Sequence, residues 1–100
     1  MLEIVLRPRA EADVLTITRY SKVGHGNAQA KRYIEDIRRQ IEFAARFPGI
    51  GSEAFGLPPA YRKVRSGVHR VIYRRTTTEL IIVRIVHERE DVPDEIEDFW

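Results

Sequence analysis

Between Tyr61 and Thr78 the chain carries six bases and no acid. Five of the six are arginines, Arg62, Arg65, Arg70, Arg74 and Arg75, and Lys63 is the sixth. A planar guanidinium suits bidentate contact with a carboxylate or phosphate, and stacking on an aromatic ring. The chemistry on offer is therefore the gripping of an anionic or planar partner. The chain has no cysteine, which removes thiol nucleophiles, disulfides and thiolate zinc sites and fits a reducing cytoplasm. His25 and His69 stand alone and far apart in sequence, so neither a metal nor a cofactor is expected.

Strands must position those arginines. The runs V-H-R-V-I-Y and L-I-I-V-R-I-V-H, joined by a polar R-R-T-T-T-E turn, read as a β-hairpin. In a regular last strand Ile81, Val83, Ile85 and His87 share one face, and Leu80, Ile82, Arg84, Val86 and Glu88 the other. The first set is the more apolar and is expected against the core. In the preceding strand Val71 and Tyr73 face that core, with His69 and Arg75 at its ends. Val68, Arg70, Ile72 and Arg74 are left on the open face. Arg70, Arg74 and Arg84 then share a surface, with Arg62 or Arg65 beside them. Two readings stand: a solvated sheet face, or a face that binds a partner.

The rest of the chain supplies a support. Leu2, Ile4 and Leu6 alternate with Glu3, Val5 and Arg7, as in a half-buried strand. Pro8 ends it and opens a helix, expected to run to about Lys22, with Glu11 and Asp13 complementing the positive end of the dipole. Gly24-His25-Gly26 is expected to break that helix. A second one follows, capped by Asn27 and stopped by Phe47-Pro48-Gly49, with Ala30, Tyr33, Ile34, Ile37, Ile41, Ala44 and Ala45 at helical spacing. A loop is expected from Pro48 to Ala60, then strands near Tyr61–Ser66, Val68–Arg75 and Glu79–His87. The order is βααβββ: an α+β fold with an antiparallel sheet packed against a two-helix hairpin.

One hundred residues suit a single domain, here 1–91, followed by an acidic tail, 92–100. The net charge of +2 conceals a skew: after His87 come seven acids and one base. No signal pattern and no apolar run of about 20 residues is present, so neither export nor a membrane span is expected. Near-neutral charge also argues against direct nucleic-acid binding as the main role.

Several segments together resemble the ParE/RelE superfamily of toxins from bacterial toxin–antitoxin pairs, the ParE side more closely. L-R-P-R-A-E-A-D-V is similar to the family's opening strand and helix start, and G-N-A-Q-A-K-R-Y to the start of its second helix. F-P-G-I-G resembles its N-P-x-x-G loop. Y-R-K-V-R-S-G-V-H-R-V-I-Y-R and V-R-I-V-H-E-R-E-D resemble its paired closing strands. The likeness runs over roughly residues 4 to 91, in order. His25-Gly26 departs from the usual aromatic-glycine pair, and L-P-P-A before Tyr61 departs from I-R-x-G.

The resemblance implies a toxin that inhibits DNA gyrase by binding and is neutralised by a cognate ParD-like antitoxin in the cytoplasm. The arginine face of Arg62, Arg65, Arg70, Arg74 and Arg84 would bind the partner. Phe99 and Trp100 in the tail would either add to that contact or fold back on the domain as a lid. RelE-like members imply the alternative, metal-free attack of a ribose 2′-OH in ribosome-bound mRNA. Glu53 would then be the base, His87 the acid, Arg70 and Arg84 the phosphate clamp, and Tyr73 a stacking ring. Strand parity weighs against that set, because Arg84 and His87 point to opposite faces unless a bulge intervenes. Arg70 and Tyr73 oppose one another in the same way. A third reading is a non-toxic binding module.

Overall fold

A computed structural model describes residues 1–54, 57 and 60–90. The elements are β1 (Glu3–Leu6), α1 (Pro8–His25), α2 (Asn27–Arg46), a 3-10 turn (Pro48–Ile50), β2 (Ser52–Glu53), β3 (Arg62–Ser66), β4 (His69–Arg75) and β5 (Glu79–His87). The two helices carry the chain to the far edge of the sheet. The meander β2 to β5 then walks back until β5 lies beside β1, giving the order β1-β5-β4-β3-β2. The sheet is mixed rather than wholly antiparallel, since β1 runs parallel to β5 with Leu6 opposite Ile82. The short β2 and the 3-10 turn occupy what the sequence reads as a plain loop.

Pro8 opens α1 as expected, but the helix continues past Gly24 to His25 and only Gly26 breaks it. Gly26 adopts a φ of 85°, open to glycine at little cost. Its N–H donates to Lys22 O at 3.0 Å and its carbonyl accepts Ala30 N–H at 3.1 Å. One residue thus ends α1 and starts α2. Asn27 is the first residue of α2 and not its cap. Within α1 the Thr18 hydroxyl donates to Val14 O at 2.7 Å, which satisfies a polar group in a β-branched stretch.

The helices cover one sheet face through Ala10, Ile17, Ile37, Ile41, Ala44 and Ala45, which meet Val64, Val71, Tyr73, Leu80, Ile82 and Ile85. Leu2, Ile4 and Leu6 pack against this core, as their alternation predicts. In β5 the expected parity holds only in part. Ile72 pairs with Arg84 and Tyr73 with Ile82, so Val83 is an extra residue in β5. This bulge swaps the faces. Leu80 and Ile82 join the core in place of Ile81 and Val83, while Ile85 keeps its expected place. Ile72, Ile81, Val83 and Val86 are buried as well, outside that cluster.

Candidate functional site

The arginines mostly hold the fold in shape. Arg84 Nε and a terminal nitrogen donate to the two Asp13 carboxylate oxygens at 2.8 and 3.1 Å. Asp13 also accepts Ile85 N–H at 2.8 Å. β1 leaves β5 after Ile82, so Asp13 supplies a partner that a neighbouring strand would otherwise give. The Asp13 hydrogen bonds hold the Arg84 pKa above its ordinary value. Asp13 therefore closes a sheet edge, which goes beyond the dipole role expected of it.

Arg70 donates to the backbone oxygens of Glu88 and Glu90 at 2.7 and 3.1 Å and so pins the turn after β5. Arg62 donates to Gly51 O at 2.9 Å and Gly49 O at 3.2 Å, tying the 3-10 turn to β3. Arg65 donates to Gly67 O and forms a 2.7 Å ion pair with Glu88. That pair is exposed, with the Arg65 side chain 69% accessible, so it is worth only about 0–1 kcal/mol. Arg74 lies in β4 opposite Ile81.

Tyr73 is a core ring, 1% exposed. Its hydroxyl donates to Pro48 O at 2.8 Å and accepts Gly51 N–H at 3.2 Å. Burial raises its pKa, against the lowering effect of the Gly51 N–H and nearby Arg62. Gly51 must lack a side chain, because a Cβ there would lie 2.5 Å from the Tyr73 hydroxyl.

The histidines gather on the helix side. His69 and His87 are cross-strand partners with ring centroids 5.4 Å apart. The Tyr33 hydroxyl, from α2, accepts Val68 N–H at 3.1 Å. It donates to Ser66 O at 3.3 Å and lies within hydrogen-bond distance, 2.6 Å, of His69 Nδ1. Burial, then the neighbouring His87, lowers the His69 pKa. Burial also raises the Tyr33 pKa. His87 Nδ1 accepts Arg89 N–H at 3.1 Å. Both imidazoles line a cavity of about 460 Å³ between α1 and the end of the β4–β5 hairpin.

The alternative nuclease set is dispersed. Arg84 lies opposite Ile72 and His87 opposite His69, so these two occupy opposite faces. The bulge falls before Arg84 and does not bring them together. Glu53 aligns through Arg62 and Tyr73 with Ile82, three strands across and five residues short of His87. Standard sheet spacings put it on the order of 20 Å from that histidine. Among the described residues no group of three or more His, Cys, Asp or Glu could hold a metal ion. Phe99 and Trp100, with the tail 92–100, lie outside the described residues.

Sequence reading missed Asp13 as an edge cap and Tyr33 as a hub. Tyr33 sat in a helical stripe that marked it only as core. The Ser66-Gly67 pair was its one further signal: Gly67 has a φ of 58°, and a Cβ there would lie 2.6 Å from the Tyr33 ring. Nothing local distinguishes Asp13 from any other acid near the start of a helix.

A helix hairpin laid on this five-stranded sheet is also the fold of a solved chromosomal ParDE toxin–antitoxin system from Pseudomonas aeruginosa. That structure matches with a TM-score of 0.73 at 21% identity, over 87% of this chain and 96% of that one. The likeness places the chain in a class of small α+β domains in which a helix hairpin covers one face of a sheet. Sequence narrows the class. The family described as "ParE toxin of type II toxin-antitoxin system, parDE" matches residues 4–92. Toxin ParE1 of Mycobacterium tuberculosis is 35% identical over 89 residues, 88% of this chain and 91% of that protein. Toxin ParE of Escherichia coli is 33% identical over 99 residues, 98% of this chain and 96% of that one. The chain belongs to the ParE toxin family.

Proposed function

We propose that this toxin inhibits DNA gyrase by binding it in the cytoplasm, without cutting a strand itself, and that a cognate antitoxin neutralises it. The observation that carries the reading is the dispersal of acid–base groups. Transfer of a 2′-OH to phosphate needs a base, an acid and cations at one scissile centre. Here Arg84 is occupied by Asp13, Arg70 pins a turn, and His87 and Glu53 stand on the order of 20 Å apart. Arg62, Arg70 and Arg84 keep the contact surface rigid. Arg65 and Arg74 meet the partner, and Arg65 exchanges its weak pair with Glu88 for a partner carboxylate. Phe99 and Trp100 add apolar contact from the tail. The antitoxin half of the reading is supported by the P. aeruginosa relative, which is a ParDE system.

Purified toxin is expected to block gyrase supercoiling and to accumulate cleaved DNA. Addition of the cognate antitoxin should reverse both effects. Codon-dependent mRNA cleavage on ribosomes, abolished by His87→Ala or Arg70→Ala, would overturn the reading.

A further inference from the structure

The cavity between α1 and the β4–β5 hairpin is used neither by the core nor by the arginine surface. Ile17 and Ile85 line it as buried apolar side chains, and His69, His87, Thr16, Tyr20, Ser21 and Arg89 join them. Its volume of about 460 Å³ falls in the ~300–1,000 Å³ range of sites that accept organic groups. Its apolar character continues outward along one helix face. Thr16, Tyr20 and Val23 follow at i, i+4 and i+7, and Tyr20 and Val23 are 80% and 91% exposed.

The polar groups are complementary to an acceptor. Two acids line the cavity, and the fold already uses both. Asp13 is taken by Arg84 and the Ile85 N–H, and Glu90 accepts His87 N–H at 3.2 Å. What remains open is a set of donors. The Arg89 guanidinium, the Tyr20 hydroxyl and the Thr16 and Ser21 hydroxyls form no side-chain hydrogen bond among the described residues. An apolar centre surrounded by unspent donors fits a bulky apolar side chain followed closely by a carboxylate.

We propose that this cavity is the anchor site for the antitoxin, receiving one large apolar side chain whose acidic neighbour pairs with Arg89. The site rests on the antitoxin half of the functional reading and specifies where that partner is held. An aromatic or branched aliphatic group displaces water from Ile17 and Ile85, while the rim charge orients the approaching segment. The apolar anchor governs dissociation, and Arg89 governs association and its salt dependence.

Two surface variants test the site against the full-length cognate antitoxin. Thr16→Trp fills the cavity from an exposed position on α1, and Arg89→Glu reverses the rim charge. Each is expected to weaken binding about tenfold or more, Thr16→Trp through faster dissociation and Arg89→Glu through slower association at low salt. Thermal melting like that of the unaltered toxin verifies the fold, which exposed Arg89 leaves intact. Phe43→Ser, in the exposed Phe43–Phe47 pair at the other end of α2, is the control and is expected to bind normally. Equal binding by the unaltered toxin, Thr16→Trp and Arg89→Glu overturns the site alone. Loss confined to Phe43→Ser overturns it in favour of that second patch. Failure of the unaltered toxin to bind overturns the site and the antitoxin reading together.

Discussion

Asp13 holds three donors with one carboxylate, and it does so where a sheet edge would otherwise be open. Its side chain is 16% exposed and that of Arg84 13%, so water cannot easily replace either partner. Asp13→Ala removes the acceptor and leaves both the guanidinium and the Ile85 N–H without it. The expected loss is about 3–5 kcal/mol, the cost of breaking a desolvated pair from one side. Replacing both members, Asp13→Leu with Arg84→Met, should recover part of that loss but not all, because the Ile85 N–H still lacks a partner. Urea midpoints at constant m-value measure both steps. Tyr73 poses the same question with a neutral group. Tyr73→Phe keeps the ring in the core but strands Pro48 O and the Gly51 N–H, at an expected cost of about 1–3 kcal/mol in the same assay.

The β3–β4 hairpin shows what an element needs from outside itself. Gly67 occupies the first central position of its two-residue turn with φ 58°, and Val68 has a negative φ, the arrangement of a primed turn that begins with glycine. Tyr33 of α2 then seals the turn by binding Val68 N–H and approaching His69 Nδ1. His69 is half-buried with its pKa lowered, so the unfolded chain binds its proton more readily than the folded one. Stability is then complete above about pH 6.5 and falls as pH drops through the lowered folded value. Denaturant unfolding at several pH values between about 5 and 8 should show this slope, and His69→Gln should flatten it. Elements of this kind were legible in the sequence to different depths. The helix spacing from Ala30 to Ala45, the proline start at Pro8 and the closing strands each have a local cause, and each was readable. The bulge at Val83 was not. All of 80–83 is apolar, so alternation gave no sign of which residue was extra. The register is instead set by Tyr73 and Ile82, cross-strand partners that both enter the core. Arg84 illustrates the same limit for the site, because its face could be counted from the strand but its partner lies 71 residues away in α1.

At the scale of the whole molecule, charge decides which partner a free toxin meets first. The last ten residues carry five acids and no base, so the chain without them would have a formal net charge of +7 instead of +2. The long-range field follows the total charge, while the grip on a surface follows the local arginines. A chain of +7 whose bases are mostly arginine would be attracted to DNA itself, releasing counterions with each phosphate it neutralises. On the gyrase reading that would be a distraction, because the target is a protein that works while surrounded by DNA. The acidic end is then a device that retains the arginine surface yet weakens its pull on nucleic acid. Stopping the chain after Glu90 leaves every described element in place and tests this directly. The shortened toxin is expected to bind a labelled DNA duplex measurably at about 10 mM salt and to release it at about 150 mM, while the full chain binds weakly at both. Fluorescence anisotropy reads the difference, and a shortened chain no stickier than the full one would sink the idea. Gyrase inhibition by the two forms should then diverge as competing DNA is added, the shortened toxin losing potency because the duplex captures it before the enzyme does.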